Sequence, residues 1–374
     1  MPRHICFVSD TLHTYLGSGI ETGAGGAERQ QYKIATALVD RGYDVTVLTR
    51  AYGSLRRETV EGIDVRRVIP DVRGIQNAPR KAARILAALR EVDADLHYVR
   101  GNPFLCMVTA LFTRTVGRGA FCYQVANDSN VEPGHLAEMN PLLHRGYLAA
   151  IRSADAVCAL TPYQRDLLAD EHGVDATVVP CGYDLPPESD LIDHADRETV
   201  LWVGRMNEDQ KKPMRFLDLA EALPDREFVM VGPHDNDDPD YYDRVERRAE
   251  TIPNCNFKGF VPPDEIHEYF RQAALLVNTS DYEGFGNVFL EAWRYETPVV
   301  SLHYTLHGVI DKEPVGVHAG STDSLPEAVE DLLVDVDHRR EYGVAGREHV
   351  ADEYSFPSVL AVYETVFDRI APTE

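Results

Sequence analysis

The organisation of this chain is clearest in the segment Asp281-Tyr-Glu-Gly-Phe-Gly-Asn-Val-Phe-Leu-Glu-Ala-Trp-Arg-Tyr-Glu-Thr-Pro-Val-Val300. The apolar run before it, Ala274 to Ser280, predicts a buried strand, and Pro298 to Leu302 predicts the next one. Between them, two glycines indicate a turn, and Asn287 to Tyr295 predicts about two turns of helix. Strand, glycine loop, helix and strand in this order are typical of a parallel crossover unit.

Two carboxylates in this segment indicate a binding site. Glu283 lies in the loop beyond the carboxyl end of the strand, where open α/β sheets place their ligands, and Glu291 follows inside the helix. The helix start offers free N–H groups to a phosphate, and carboxylates accept hydrogen bonds from the paired hydroxyls of a sugar or a ribose. These are the features that bind a nucleotide sugar. The alternative is that both acids are solvated surface residues of an ordinary loop.

The pattern Glu-Gly-Phe-Gly-x-x-x-x-Glu-Ala before Pro-Val-Val resembles the Glu-x7-Glu signature of the family-four, GT-B-fold, retaining glycosyltransferases. In that family the first Glu contacts the donor sugar and the second contacts the ribose, which implies these roles for Glu283 and Glu291. The resemblance also implies donor contacts for the intervening Phe285, Gly286, Asn287 and Val288. One departure is Glu296, which stands where the family usually has Gly, so we expect this helix to end differently.

Two cationic residues of the second half resemble the family's Gly-Arg-(loop)-Lys motif. They are Arg205, directly after the predicted strand Thr199 to Val203, and Lys211 across the following loop. A guanidinium and an ammonium group together can neutralise a diphosphate. Lys212 and Pro213 replace the usual Gly after the Lys, so Lys212 is the alternative phosphate ligand. A solvated basic loop is the other interpretation.

Two segments of the first half resemble the same family less completely. Gly25-Gly-Ala-Glu-Arg29 resembles its Gly-Gly-x-Glu element, which implies that Gly25 and Gly26 approach the donor phosphates. A dinucleotide site is not favoured here, because the following strand ends in Arg50 and not in an acid for a ribose. Asn127 stands where the family often has a catalytic His. An Asn can hydrogen-bond a sugar but cannot shuttle a proton, and an Asx-type turn is the alternative.

Alternating strands and helices in both halves predict an α/β fold, and the resemblance implies the GT-B form, two doubly wound Rossmann-like domains facing across a cleft. We expect an acceptor-binding domain over residues 1–185, a proline- and acid-rich linker over 186–198, and a nucleotide-sugar-binding domain over 199–355. A final helix over 356–370 is expected to pack back on the first domain.

The composition of the chain indicates which partners it can bind and in which compartment it is expected. The chain has 61 Asp plus Glu against 37 Lys plus Arg, a net charge of −24, which disfavours a nucleic-acid partner. This balance is typical of halophilic proteins, whose self-repulsion is screened by salt. We expect a cytoplasmic protein: no apolar run reaches membrane-spanning length, the first strand follows the N-terminus directly, and the six cysteines show no disulfide or metal spacing.

One basic island stands out in this acidic chain. It surrounds a predicted helix over Ala78 to Arg90, whose other side is apolar, and consists of Arg66, Arg67, Arg73, Arg80, Lys81, Arg84 and Arg90. A solvated helix face is the ordinary interpretation. The alternative is a surface for an anionic acceptor or for peripheral membrane association.

Together, these features predict a retaining glycosyltransferase that moves a hexose-type sugar from a nucleotide-diphosphate sugar, UDP- or GDP-linked, to a glycan or lipid-linked acceptor. Glu283, Arg205, Lys211 and Asn127 are its candidate catalytic residues, and no cofactor or metal is expected. Two alternatives are a GT-B-fold sugar-nucleotide epimerase and a non-catalytic nucleotide-sugar-binding protein.

The charge balance gives a first prediction about stability. Because the Debye length is ~30 Å at 0.01 M salt, self-repulsion of the −24 charge is unscreened there. We expect the melting temperature to rise steeply between low salt and molar KCl, as measured by thermal unfolding across a salt series. An unfolding temperature that does not depend on salt would contradict the halophilic interpretation.

Overall fold

The computed structural model describes residues 4–16, 26–51, 56–71, 74–115, 119–234, 239–262 and 265–371. The chain forms two compact units, one of Met1–Cys181 with Pro357–Glu374 and one of Gly182–Phe356. Each unit contains its own predominantly parallel sheet with helices connecting the strands. The expected α/β class, with two doubly wound Rossmann-like domains, is thereby confirmed.

Eight strands among the described residues form the sheet of the first unit, in the order β3-β4-β2-β1-β5-β6-β7-β8. Their bounds are β1 His4–Val8, β2 Asp44–Arg50, β3 Arg57–Val60, β4 Ile63–Ile69, β5 Leu96–Arg100, β6 Ala120–Gln124, β7 Ala156–Ala159 and β8 Thr177–Val178. All neighbours pair in parallel except β3 and β4, which form an antiparallel hairpin. Glu61 and Gly62 both have positive φ in its two-residue turn, as a type I′ hairpin requires.

The helices of the first unit connect these strands and cover the sheet. Their bounds are α1 Gly26–Asp40, α2 Ala78–Val92, α3 Pro103–Thr115, α4 Pro133–Glu138, α5 Pro141–Ser153 and α6 Pro162–His172. On α2, Ile85 and Leu89 are buried in the hydrophobic core. The apolar side of this helix is therefore covered by the unit itself and does not face a membrane.

The basic island around α2 is smaller than the sequence suggested. Arg66 and Arg67 lie on β4, and each is ion-paired with an acid of the β3–β4 hairpin. The Lys81 ammonium lies 3.6 Å from the Asp10 carboxylate, and Arg73 is outside the described residues. The exposed basic side chains on α2 itself are Arg80, Arg84 and Arg90.

Six strands of the described chain form the sheet of the second unit, all parallel, in the order β11-β10-β9-β12-β13-β14. They are β9 Thr199–Val203, β10 Phe228–Val231, β11 Cys255–Gly259, β12 Ala273–Asn278, β13 Val299–Ser301 and β14 Gly316–His318. The helices are α7 Pro213–Ala222, α8 Pro239–Ala249, α9 Ile266–Gln272, α10 Asn287–Trp293, α11 Val309–Lys312, α12 Leu325–Val334 and α13 Val336–Tyr354. Because β10 and β11 extend the sheet on one side of β9 and β12 begins the other side, the strand order reverses between β9 and β12. Ligands of such sheets bind at this reversal.

The last helix, α14 Phe356–Ile370, belongs to the first unit from Pro357 onward. Tyr363 and Phe367 are buried there, and both rings pack edge-on against the ring of Tyr98 on β5. The Tyr363 hydroxyl also donates to Gln124 Oε1 on β6 at 3.0 Å. The helix is thus attached to this sheet by both apolar and polar contacts.

The boundary between the units differs from the expected one. The first unit ends at Cys181, and residues 186–198, expected to form a linker, lie inside the second unit. The reason is Arg197, which is 1% exposed and donates to the carbonyls of Ile192 and Tyr295. This guanidinium attaches the proline- and acid-rich segment to the end of α10, so the segment is packed.

The end of α10 is built around Glu296, the residue that stands in place of the family's usual Gly. Glu296 has a φ of 57°, a left-handed conformation that costs a non-glycine residue about 1–2 kcal/mol. Its carboxylate lies 3.5 Å from His194 Nε2 and 4.0 Å from Arg347 Nε. Arg197 also donates to the Glu296 carbonyl at 3.3 Å. Charged contacts therefore offset the backbone strain at this position.

This cluster predicts that the second unit is sensitive to acid. Burial lowers the pKa of His194, and the contact with His194 lowers the pKa of Glu296. Below about pH 6.5 the unfolded chain therefore protonates His194 more readily than the folded chain, and stability falls as pH falls. The Glu296 contribution, present above about pH 4.5, is lost in the same direction as pH falls through its lower folded value.

Between pH 7.5 and pH 5.5 the free energy of unfolding should fall less for His194→Gln than for the wild type. We expect the two decreases to differ by on the order of 1 kcal/mol. Urea unfolding followed by tryptophan fluorescence measures this, because both tryptophans of the chain, Trp202 and Trp293, are buried in the second unit. His338→Gln, at an exposed histidine of α13, is the matched control and should follow the wild type. If the free energy of unfolding depended on pH in the same way for His194→Gln and the wild type, His194 would not be the cause of the acid sensitivity.

Candidate active site

Two loops meet at the carboxyl ends of β9 and β12, where the strand order reverses. One follows β9 and contains Arg205 and Lys211, and the other follows β12 and leads to α10. The Asp281 N–H donates to the Gln210 carbonyl at 3.0 Å, and the Thr279 hydroxyl donates to the Lys211 carbonyl at 2.8 Å. These bonds fix the two loops to each other and bring their side chains to one place.

The central contact is between Lys211 and Glu283, two of the predicted site residues. Lys211 Nζ lies 2.6 Å from Glu283 Oε1 and 2.5 Å from Oε2. The carboxylate is 7% exposed and also accepts from the Ser280 hydroxyl at 2.7 Å and from the Asn278 amide at 3.2 Å. Three donors therefore hold it in one orientation. Sequence reasoning missed Asn278 and Ser280, although their position at the end of a buried strand was a usable signal.

Lys212 has a different environment. It immediately precedes α7 and has a φ of 51°, a left-handed conformation that explains why the family usually has Gly here. Its ammonium is 3.7 Å from Asp281, which also accepts from Arg215 at 2.5 Å. Lys212 is thus paired outside the Lys211–Glu283 contact. The geometry favours Lys211 as the lysine of the site.

Arg205, the other predicted cation, follows β9 and is exposed. Gly204 before it leaves room for the neighbours: a Cβ there would lie 2.9 Å from the Trp202 ring and 3.5 Å from the side chain of Lys211. The Trp202 indole donates to the Thr279 hydroxyl at 2.9 Å. The absence of a side chain at 204 therefore makes room for the Trp202 ring, which reaches Thr279.

The glycine loop before α10 has little freedom. Gly286 has a φ of 77°, and a Cβ there would come within 3.0 Å of Tyr304 and Leu306. Phe285 is 4% exposed, whereas Asn287 and Val288 begin α10 half-buried. The loop is therefore held in place by the buried Phe285 ring, while the polar Asn287 remains partly accessible.

Glu291 lies further along α10 and is half-buried. Its carboxylate lies 3.2 Å from Arg294 NH1, one turn later on the same helix. This contact orients the carboxylate. Its contact with a ribose stays a prediction.

The first-half candidates are less clearly defined. Gly25 lies outside the described residues, and Gly26 is the first residue of α1. Asn127 is exposed after β6, where its Oδ1 accepts from the Ser129 hydroxyl at 2.5 Å. The next residue, Asp128, is half-buried and accepts from the Gln164 amide at 2.8 Å, and burial raises its pKa to about 6. The titrating group at this strand end is thus Asp128, the acid that follows Asn127 in the family's His-Asp pair and that is not among the predicted site residues.

Two other kinds of feature, a metal site and a membrane-spanning helix, are absent from the described ranges. No cluster of three His, Cys, Asp or Glu side chains there has a geometry suited to a metal ion. None of the helices in those ranges is long and apolar enough to cross a membrane.

Two protein-family models match this chain, one in each half of the sequence. The model of Glycosyltransferase Family 4 matches residues 24–186, and that of Glycosyl transferases group 1 matches residues 197–335. Together the two models span most of the chain, which supports a glycosyltransferase of the family-four type. The expected GT-B fold is confirmed, and neither alternative, epimerase or non-catalytic binder, is favoured.

The individual relatives of this chain are distant in sequence. The chain is 29% identical over 252 residues to the alpha-maltose-1-phosphate synthase of Mycolicibacterium smegmatis. The aligned region covers 58% of this chain and 65% of that protein. Sucrose-phosphate synthase from Thermosynechococcus elongatus has a similar structure, with a TM-score of 0.81 at 19% identity over 98% of this chain and 99% of that one. Anabaena HepE in complex with UDP-glucose gives a TM-score of 0.74 at 18% identity, over 97% and 99%. At these identities the structural likeness concerns the fold, which is GT-B.

Proposed function

We propose that this chain is a retaining glycosyltransferase that moves a hexose-type sugar from a UDP- or GDP-linked donor to a glycan or lipid-linked acceptor. The observation that carries the proposal is the Lys211–Glu283 contact at the strand-order reversal of the second unit. A cation and an oriented carboxylate side by side suit a ligand that carries a diphosphate next to sugar hydroxyls. The UDP-glucose bound by HepE is such a ligand and supports this donor class.

The roles follow from the chemistry of each group. Lys211 and Arg205 neutralise the diphosphate as it leaves, and negative charge grows on that group in the transition state. Glu283 accepts hydrogen bonds from the sugar hydroxyls, and Glu291 accepts from the ribose. When donor binds, Lys211 moves part of its interaction from Glu283 to the phosphate, which leaves a carboxylate acceptor for the sugar. Asn127 hydrogen-bonds the sugar without transferring a proton.

The test compares substitutions in the site with one beside it. Glu283→Gln and Lys211→Ala should each lower kcat/KM for donor turnover by about 30- to 1000-fold, equivalent to ~2–4 kcal/mol of transition-state binding. Lys212→Ala is the matched control, because its ammonium is paired with Asp281, and it should stay within about threefold of the wild type. Release of nucleoside diphosphate, with donors first selected by thermal shift in high salt, measures this. Near-normal turnover in Glu283→Gln and Lys211→Ala would overturn the site assignment.

We also propose that a lipid-linked acceptor would be reached by peripheral attachment to an anionic membrane surface. The supporting observation is that α2 has three exposed arginines, Arg80, Arg84 and Arg90, in a chain of net charge −24. Each base near an anionic surface contributes ~1 kcal/mol at ordinary salt, and the contribution falls as salt is added. With the apolar side of α2 buried, attachment depends on charge alone.

Sedimentation with vesicles that contain anionic lipid tests this attachment. Changing Arg80, Arg84 and Arg90 together to Gln should reduce the bound fraction at low salt, and molar KCl should release the wild type. The control changes Arg244, Arg247 and Lys258 to Gln: three exposed basic residues of the second unit, so that the charge change is equal. Equal partitioning of the two triple variants would contradict a role for α2.

A further inference from the structure

The chain passes between its two units twice, once at 181/182 and once at 356/357. The two crossings are bonded to each other on the side of the second unit. The Tyr183 N–H donates to the Tyr354 carbonyl at 2.8 Å, and the Phe356 N–H donates to the Tyr183 carbonyl at 2.9 Å. Tyr183 and Ser355 thereby form a parallel bridge. A displacement of one crossing is therefore transmitted to the other.

Both crossings also contact the glycine loop of the candidate site. Tyr183 is 3% exposed, and its hydroxyl donates to Asn287 Oδ1 at 2.5 Å. The ring of Tyr354 meets the ring of Phe285 edge-on, with centroids 5.9 Å apart. The two tyrosines thus contact the residues on either side of Gly286. All of these residues lie in the second unit.

The bond to Asn287 has a specific chemical consequence. An Asn side chain offers one acceptor oxygen and one NH2 donor, and rotation about its last torsion exchanges them. In the structure the Tyr183 hydroxyl donates to Oδ1, and in this orientation the NH2 is the donor that the amide presents to a ligand. Such a donor is suited to a phosphate or hydroxyl oxygen, whereas the oxygen in its place would repel a phosphate.

We propose that Tyr183 is a positioning residue of the donor site, acting through Asn287, and that it transmits the occupancy of the glycine loop to both chain crossings. This rests on the proposed function, in which Lys211 and Arg205 bind the diphosphate and Glu291, on the helix that follows the loop, binds the ribose. Because binding and stiffening are linked thermodynamically, nucleotide that orders the loop also orders the crossings. Without the hydroxyl, the ring of Phe would still fill the same space, but the amide would be free to turn.

A double-mutant cycle tests the action through Asn287. Calorimetry measures the affinity of UDP and of GDP for the wild type, Tyr183→Phe, Asn287→Ala and the double variant. Tyr183→Phe should weaken binding by about 5- to 10-fold, the contribution of one hydrogen bond, and the double variant should bind no more weakly than Asn287→Ala alone. Tyr342→Phe, the same change on α13, is the control and should match the wild type. Unchanged affinity in Tyr183→Phe, or losses that add in the double variant, would overturn the proposal.

Hydrogen exchange tests the transmission in the same proteins. UDP or GDP should protect the peptides over 283–291 and also those over 182–186 and 353–357 in the wild type. In Tyr183→Phe at saturating nucleotide, protection should persist over 283–291 and fall at the crossings. Protection confined to 283–291 in the wild type would refute the transmission and leave the proposed function intact. Absence of binding by the wild type, with no protection over 283–291, would instead remove the proposed function and this inference with it.

Discussion

The hydrogen bonds of Thr279 are the constraint on which the candidate site depends. Its hydroxyl accepts from the Trp202 indole on β9 and donates to the Lys211 carbonyl. A single small side chain at the end of β12 thereby sets where the loop after β9 returns. Because that loop carries Lys211, the distance from its ammonium to Glu283 follows from the pairing of β9 with β12. The chemistry of the second unit is in this sense a consequence of strand register.

The second unit also shows how strain is distributed around a site. Lys212, Gly286 and Glu296 all have positive φ: Lys212 immediately precedes α7, Gly286 immediately precedes α10, and Glu296 follows α10. Two of these residues are not glycine, and each has its side chain near an opposite charge, Lys212 near Asp281 and Glu296 near Arg347. The helices around the site therefore have fixed ends although their sequences depart from the family pattern. Fixed helix ends keep the loops between strand and helix in place.

The sequence predicted the element order and the candidate residues of the second unit well, because parallel strands read as short apolar runs and glycines mark the loops. It did not predict that Lys211 and Glu283 touch. They are far apart in the chain, and their contact depends on which strands are neighbours. It also misjudged residues 186–198, because prolines and acids resemble a linker unless one knows that Arg197 is buried against α10. The basic island was overestimated for a similar reason, since the acids that pair with Arg66 and Arg67 come from a hairpin.

The left-handed Glu296 restricts how this chain can change by single substitutions. Replacing it with Gly would relieve a backbone cost of about 1–2 kcal/mol but would remove the carboxylate near His194 and Arg347. Replacing either neighbour first would leave the strained residue without that compensation. A return to Gly at 296 is therefore favourable only together with changes at 194 and 347, so these three positions are expected to vary as a group among close homologues.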